Sequence, residues 1–197
     1  MLLLGWCVWL LASWFIAGWL EGPAAIPRLR TTQLLAWGGV MLVWPAWRLS
    51  TPAGRAPNIG VVCDMFSLWV GYQVLAARML MDFPRSWRGP VIDLAFSVWL
   101  LPVGLLVLIG RRSGSLGRLV CMALCAAIVV GGTLAGWAMG DGAWGLAVSP
   151  ARAIWVLSAD GLAATRSLAL ALFAIGGFWL VCWIAAGVAV ARGGAER

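Results

Sequence analysis

Residues 119 to 140 read LVCMALCAAIVVGGTLAGWAMG, and not one of them carries a charge. Roughly 17 to 25 predominantly apolar residues make a helix long enough to cross the hydrocarbon of a bilayer. Only helices or closed barrels can cross it with every peptide group satisfied. The same reading applies to Met1–Leu20, Thr31–Trp47, Leu94–Gly110 and Ser167–Ala191, all free of charge. A further stretch, Ile59–Met81, is mostly apolar but holds Asp64 and Arg78, so it crosses the bilayer or lies along its surface; crossing is the preferred reading. Alternating strand patterns are missing. The expectation is an all-α integral membrane protein, a bundle of about six transmembrane helices near 1–20, 31–49, 59–81, 91–110, 117–140 and 167–191, forming one domain over 1–197. Pro- and Gly-marked connectors separate the helices. The longest, 141–166, has an apolar middle broken by Pro150 and is expected to form an interfacial or re-entrant hairpin.

Composition points the same way. Of 197 residues 63% are hydrophobic and 11% charged, which excludes an ordinary soluble protein. All 14 basic residues are Arg, and His is absent. That removes imidazole-based catalysis and His ligation of metal or haem. Without Lys there is no Schiff base, Ser-Lys dyad or P-loop cation. The Arg, Ala and Gly richness suggests a GC-rich bacterial genome, hence a multi-pass protein of the bacterial inner membrane. Orientation is not decided by charge: with six crossings seven Arg fall on each side, and acidic residues add little. Both termini are placed in the cytoplasm on the compact Arg111, Arg112, Arg118 group, which is also expected to anchor helix ends to headgroups.

Three constellations stand out. Asp64, Ser67, Gly71, Leu75, Arg78 and Asp82 fall within roughly 80° of arc on one helix. Charge inside a bilayer is costly and usually faces a bundle interior, a cavity or a partner. This face, with Asp64, Ser67, Arg78 and Asp82 as its polar members, is therefore a polar path or a partner contact. Its alternative is snorkelling toward the headgroups with an ordinary Arg78–Asp82 pair. Gly132, Gly136 and Gly140 form a double small-xxx-small row that favours close helix packing, within the chain or with a second copy. Cys7, Cys63, Cys121, Cys125 and Cys182 are five in number, so a complete disulfide set is impossible; Cys121 and Cys125 share a helical face, but two thiols without further ligands make a poor metal site, and all five read as small buried hydrophobes. The 15 Trp exceed what interfacial belts explain. Their spread on the first helix suggests packing against neighbours or stacking on a flat ligand such as a quinone.

No catalytic motif is complete. The run from Asp160-Gly161 to Arg166 resembles the D-G-x-x-A-R core of CDP-alcohol phosphatidyltransferases, but Thr165 is inserted before the Arg and Leu157 stands where a paired Asp belongs. Ala138 to Asp141 miss the GxGD of intramembrane aspartyl proteases at the first Gly. The reading is a non-catalytic integral membrane subunit that packs against partner membrane proteins and stabilises a larger complex, with a lipid or quinone pocket at its edge. Expected partners are membrane lipids, other integral membrane subunits and, as an option, a second copy of the chain, but no nucleic acid, cofactor or metal. The alternative is a small oligomeric transporter or channel with a polar path around Asp64 and Arg78.

Overall fold

The computed structural model describes residues 2–22, 25–51, 57–82, 88–140, 142–158 and 165–195. Almost every described residue is helical, and none is in a strand. The order is α1 (Leu2–Glu21), α2 (Ala25–Gly38), a π-helical stretch (Gly39–Val43), α3 (Trp44–Ser50), α4 (Pro57–Asp82), α5 (Arg88–Arg112), α6 (Ser115–Ala138), two short helices α7 (Ala143–Val148) and α8 (Pro150–Ser158), and α9 (Thr165–Ala195).

Four of these helices are long and apolar enough to cross a membrane: Leu4–Glu21, Pro90–Arg112, Ser115–Met139 and Arg166–Gly187. Their burial separates them. In its apolar span α5 is 67% buried, whereas α6 and α9 are 17% buried in theirs. Helix α5 is thus the central post, touching α3, α4, α6, α8 and α9, while α1, α6 and α9 form the wall. The wall turns large apolar side chains outward, among them Phe15 and Trp19 on α1, Leu119 and Leu134 on α6, and Phe173 and Val181 on α9. In water that surface would be a severe liability; in hydrocarbon it costs nothing.

Two prolines shape the interior. Pro45 has no N–H to offer the carbonyl one turn back, and its ring crowds that carbonyl. The chain ahead of it opens into the π stretch, closed by the Trp44 N–H on Gly39 O. The backbone stays helical through the change, so α2, the π stretch and α3 form one rod from Ala25 to Ser50. Pro102 sits inside α5. Next to it the Trp183 indole of α9 donates to Leu101 O at 2.9 Å, tying the outer helix to the post.

The described part of the connector, residues 142–158, packs on the bundle. Helix α7 buries Gly145, Leu146 and Ala147, Ser149 turns the chain in an extended conformation, and α8 buries Ala153 and Ile154. Helix boundaries differ from expectation at the second segment, which starts at Ala25 rather than near 31 and draws Arg28 and Arg30 into the helix. Arg28 lies over the Trp14 ring at 4.2 Å. That contact shields the charge and lets the helix begin early.

Candidate functional site

Helices α3, α4 and α5 bring charge together at one end of the bundle. Arg48 Nε of α3 lies 2.5 Å from Asp64 Oδ2 of α4. Asp64 is 8% exposed, and the Trp44 indole and Arg111 guanidinium also face its carboxylate. From the end of α5, Arg111 Nη1 reaches Arg48 O at 3.5 Å. Burying a lone carboxylate would cost several kcal/mol, and pairing offsets that cost if further donors fill the remaining lone pairs. Gly60, one turn before Asp64, makes room for the arginine: a Cβ there would stand 2.8 Å from Arg48 Nη2. Arg111 also lies within electrostatic reach of Arg118 at the start of α6. Two arginines, Arg48 and Arg111, therefore face one carboxylate, and Arg118 stands beside Arg111. Of the three arginines expected to anchor helix ends, Arg111 is 6% exposed and bound into this group. Arg112 is exposed, and Arg118 is half-buried.

Immediately inward lies a cavity of about 240 Å³ walled by Trp6 and Trp9 of α1, Gly39 and Val43 of the π stretch, Trp44 and Trp47 of α3, and Leu68 of α4. Its wall is set by hydrogen bonds. Trp6 Nε1 donates to Leu68 O at 3.0 Å and Trp9 Nε1 to Leu35 O at 3.1 Å. An indole N–H without a partner is expensive in a dry interior, so each ring takes the orientation that finds a carbonyl. Glycine provides the clearance: Gly39 lies against the Trp9 indole and Gly71 against that of Trp6, where a Cβ could not fit. What results is an aromatic slot in which the Trp6 and Trp9 N–H groups are taken up by backbone carbonyls.

Deeper in the bundle, Tyr72 of α4 is fully buried and stacks on Phe96 of α5 with ring centroids 3.8 Å apart. Trp37 meets Phe96 edge-on at 5.4 Å. The Tyr72 hydroxyl lies beside the Trp37 indole and the Gln33 amide of α2. Between this polar knot and Asp64, the layer is filled by Leu68, Val40 and Met41, all at most 2% exposed. Sequence reasoning missed the knot. A Gln inside a charge-free span was its one available signal.

The remaining candidates scatter. Ser67 bonds to Cys63 O of its own helix at 2.8 Å and contributes to no shared site. The side chains of Arg78 and Asp82, and all of Asp141 and Asp160, lie outside the described residues. Gly132 and Gly136 press on the α7–α8 hairpin: a Cβ at 132 would stand 2.7 Å from Val148 O, and one at 136 would stand 2.8 Å from Gly145 O. Gly140 has no such neighbour; it adopts φ 74° just after α6 and serves the turn rather than the packing row. Arg152 of α8 donates to Gly136 O, locking the hairpin to the same place. Cys121 and Cys125 are buried, while Cys7 and Cys63 face outward. Among the described residues no three His, Cys, Asp or Glu side chains come together.

Comparison of the chain with models of known protein families, with curated proteins and with solved structures finds no match.

Proposed function

We propose that the chain is a non-catalytic integral membrane subunit whose outer helices pack against partner membrane proteins in a larger complex, with the tryptophan-walled slot as its lipid or quinone pocket. In this reading α2 with α3, and α4, complete six crossings. At 26 residues α4 spans about 39 Å, more than the hydrocarbon core. The bilayer is a bacterial inner membrane. One observation carries the reading: the bundle pairs its buried Arg48 and Asp64 with each other and turns a mostly apolar surface on α1, α6 and α9 to its surroundings. Extraction in mild detergent should recover the protein with stoichiometric membrane partners. A lone, monodisperse, stable protein would count against the subunit role.

A transporter is the second reading, favoured by the presence of an ion pair inside the bundle. The apolar layer of Val40, Met41 and Leu68 opposes it, since that layer stands between Asp64 and the Tyr72 knot. Reconstituted into liposomes, a transporter would lose flux on Asp64→Asn. Absence of flux for any tested solute removes this alternative.

A further inference from the structure

We propose that the slot and the arginine group above it form one binding site for an anionic phospholipid, with an acyl chain between the tryptophans and the phosphate held by the arginines. The inference deepens the pocket assignment above and is independent of whether partner proteins exist.

Position comes first. Trp47 lines the slot, and the Arg48 guanidinium carbon lies 5.8 Å from its ring centre. Trp44 faces both the slot and Asp64. The slot therefore opens inward from the charged end. Between Arg48 and Gly39 at its far wall the helix rises about 13 Å. That length suits a chain segment entering from the headgroup level, and the tryptophan walls offer it an almost wholly apolar lining.

Charge decides the headgroup. Arg111 lies within electrostatic reach of both Arg48 and Arg118, and Asp64, paired with Arg48, is the one carboxylate acting on it. Such an excess of positive charge at the rim of a bilayer is itself unfavourable, because like charges repel in a medium of low dielectric. A phosphate bearing net negative charge relieves it, and guanidinium forks match phosphate oxygens in geometry. Arg118 carries a buried Nε that makes no hydrogen bond within the described protein. A zwitterionic phospholipid would fill the slot equally well but bring its own cation into the arginine group. The site therefore selects on headgroup charge while tolerating variation in the chain. Two cations in excess, each contributing about five-fold near a membrane surface, give an expected preference of ten-fold or more at low salt.

Native mass spectrometry of the purified protein in mild detergent tests this. It is titrated with phosphatidylglycerol and, separately, phosphatidylcholine of identical chains. The expected result is retention of about one phosphatidylglycerol per chain with at least ten-fold preference. Two variants resolve the halves of the site. Arg111→Gln with Arg118→Gln removes both excess charges while leaving the Arg48–Asp64 pair intact, and should abolish the preference while leaving weak binding of both lipids. Gly5 lines the slot with nothing within 4 Å of a Cβ; Gly5→Phe should fill the slot and reduce both lipids alike while leaving the melting temperature unchanged. Equal retention of the two lipids by the unaltered protein overturns the proposal, as does unaltered binding in a folded Gly5→Phe protein. A protein that purifies alone yet keeps the lipid preference refutes the subunit role and leaves this site standing.

Discussion

Gly131 and Gly132 are neighbours on α6, and Gly136 follows one turn later, yet alanine at these positions should have opposite consequences. A Cβ at 136 would stand 2.5 Å from Ser149 Cβ and 2.8 Å from Gly145 O, where ordinary contact begins near 3.4 Å. Both obstacles belong to the α7–α8 hairpin, one of them backbone, and that hairpin is tied down by Arg152 on Gly136 O and by the Trp99 indole on Ala147 O at 3.0 Å. It cannot retreat without loosening those bonds. Overpacking of this kind costs about 1–3 kcal/mol. At Gly131 a Cβ meets nothing within 4 Å, so Gly131→Ala keeps only the gain in helix propensity, up to about 1 kcal/mol. For a chain of this size each kcal/mol moves the melting temperature by roughly 2–4 °C. Tryptophan fluorescence melts in detergent should therefore show Gly136→Ala falling by about 2–12 °C and Gly131→Ala holding or rising slightly. Equal losses in the two variants would refute the assigned packing of α6 on the hairpin, because helix propensity alone treats both glycines alike.

Three further outcomes follow from contacts described above. Trp99→Phe leaves Ala147 O, a carbonyl at the end of α7, without its donor and should destabilise by about 1–2 kcal/mol in the same melts, whereas Trp19→Phe, at 85% exposure, should not register. Arg48→Ala and Asp64→Ala should each cost about 2–3 kcal/mol, less than a fully enclosed pair because a fifth of the Arg48 side chain stays exposed. Combining them should restore part of that loss, and strict additivity in the cycle would mean that the two side chains do not interact. A small maleimide should modify Cys121 and Cys125 only after unfolding in SDS, read by mass spectrometry; labelling of the folded protein at either would contradict their burial.

The spans were legible because hydrocarbon demands length and apolarity in one continuous run, and the runs ending at Leu20, Gly110 and Gly140 satisfy that locally. The hairpin after α6 was legible for a related reason: its apolar middle could not stay in water, and Pro150 had to break it. Gly132 and Gly136 showed their spacing but not their neighbour, since small residues permit approach without naming what approaches. Gly140 shared the spacing and had another task, for which its place at the close of the apolar run was the signal. The Arg48–Asp64 pair was hidden because it joins two helices across a connector, and register between helices is set by packing rather than by periodicity within either. Tryptophan's part was hidden more thoroughly. Trp6, Trp9, Trp99 and Trp183 all donate to backbone carbonyls on other elements, and a carbonyl acceptor leaves no trace in the identity of its residue. The abundance of Trp thus has an internal use, pinning helices that hydrocarbon gives no hydrophobic reason to associate.

Purification under native conditions tests the central claim most directly. The 21.0 kDa chain, extracted in mild detergent and passed through size exclusion with mass spectrometry of the eluted peak, should emerge in a larger species with the same membrane partners in fixed proportion. A single species holding this chain alone, stable and monodisperse, would contradict the role of a subunit in a membrane complex.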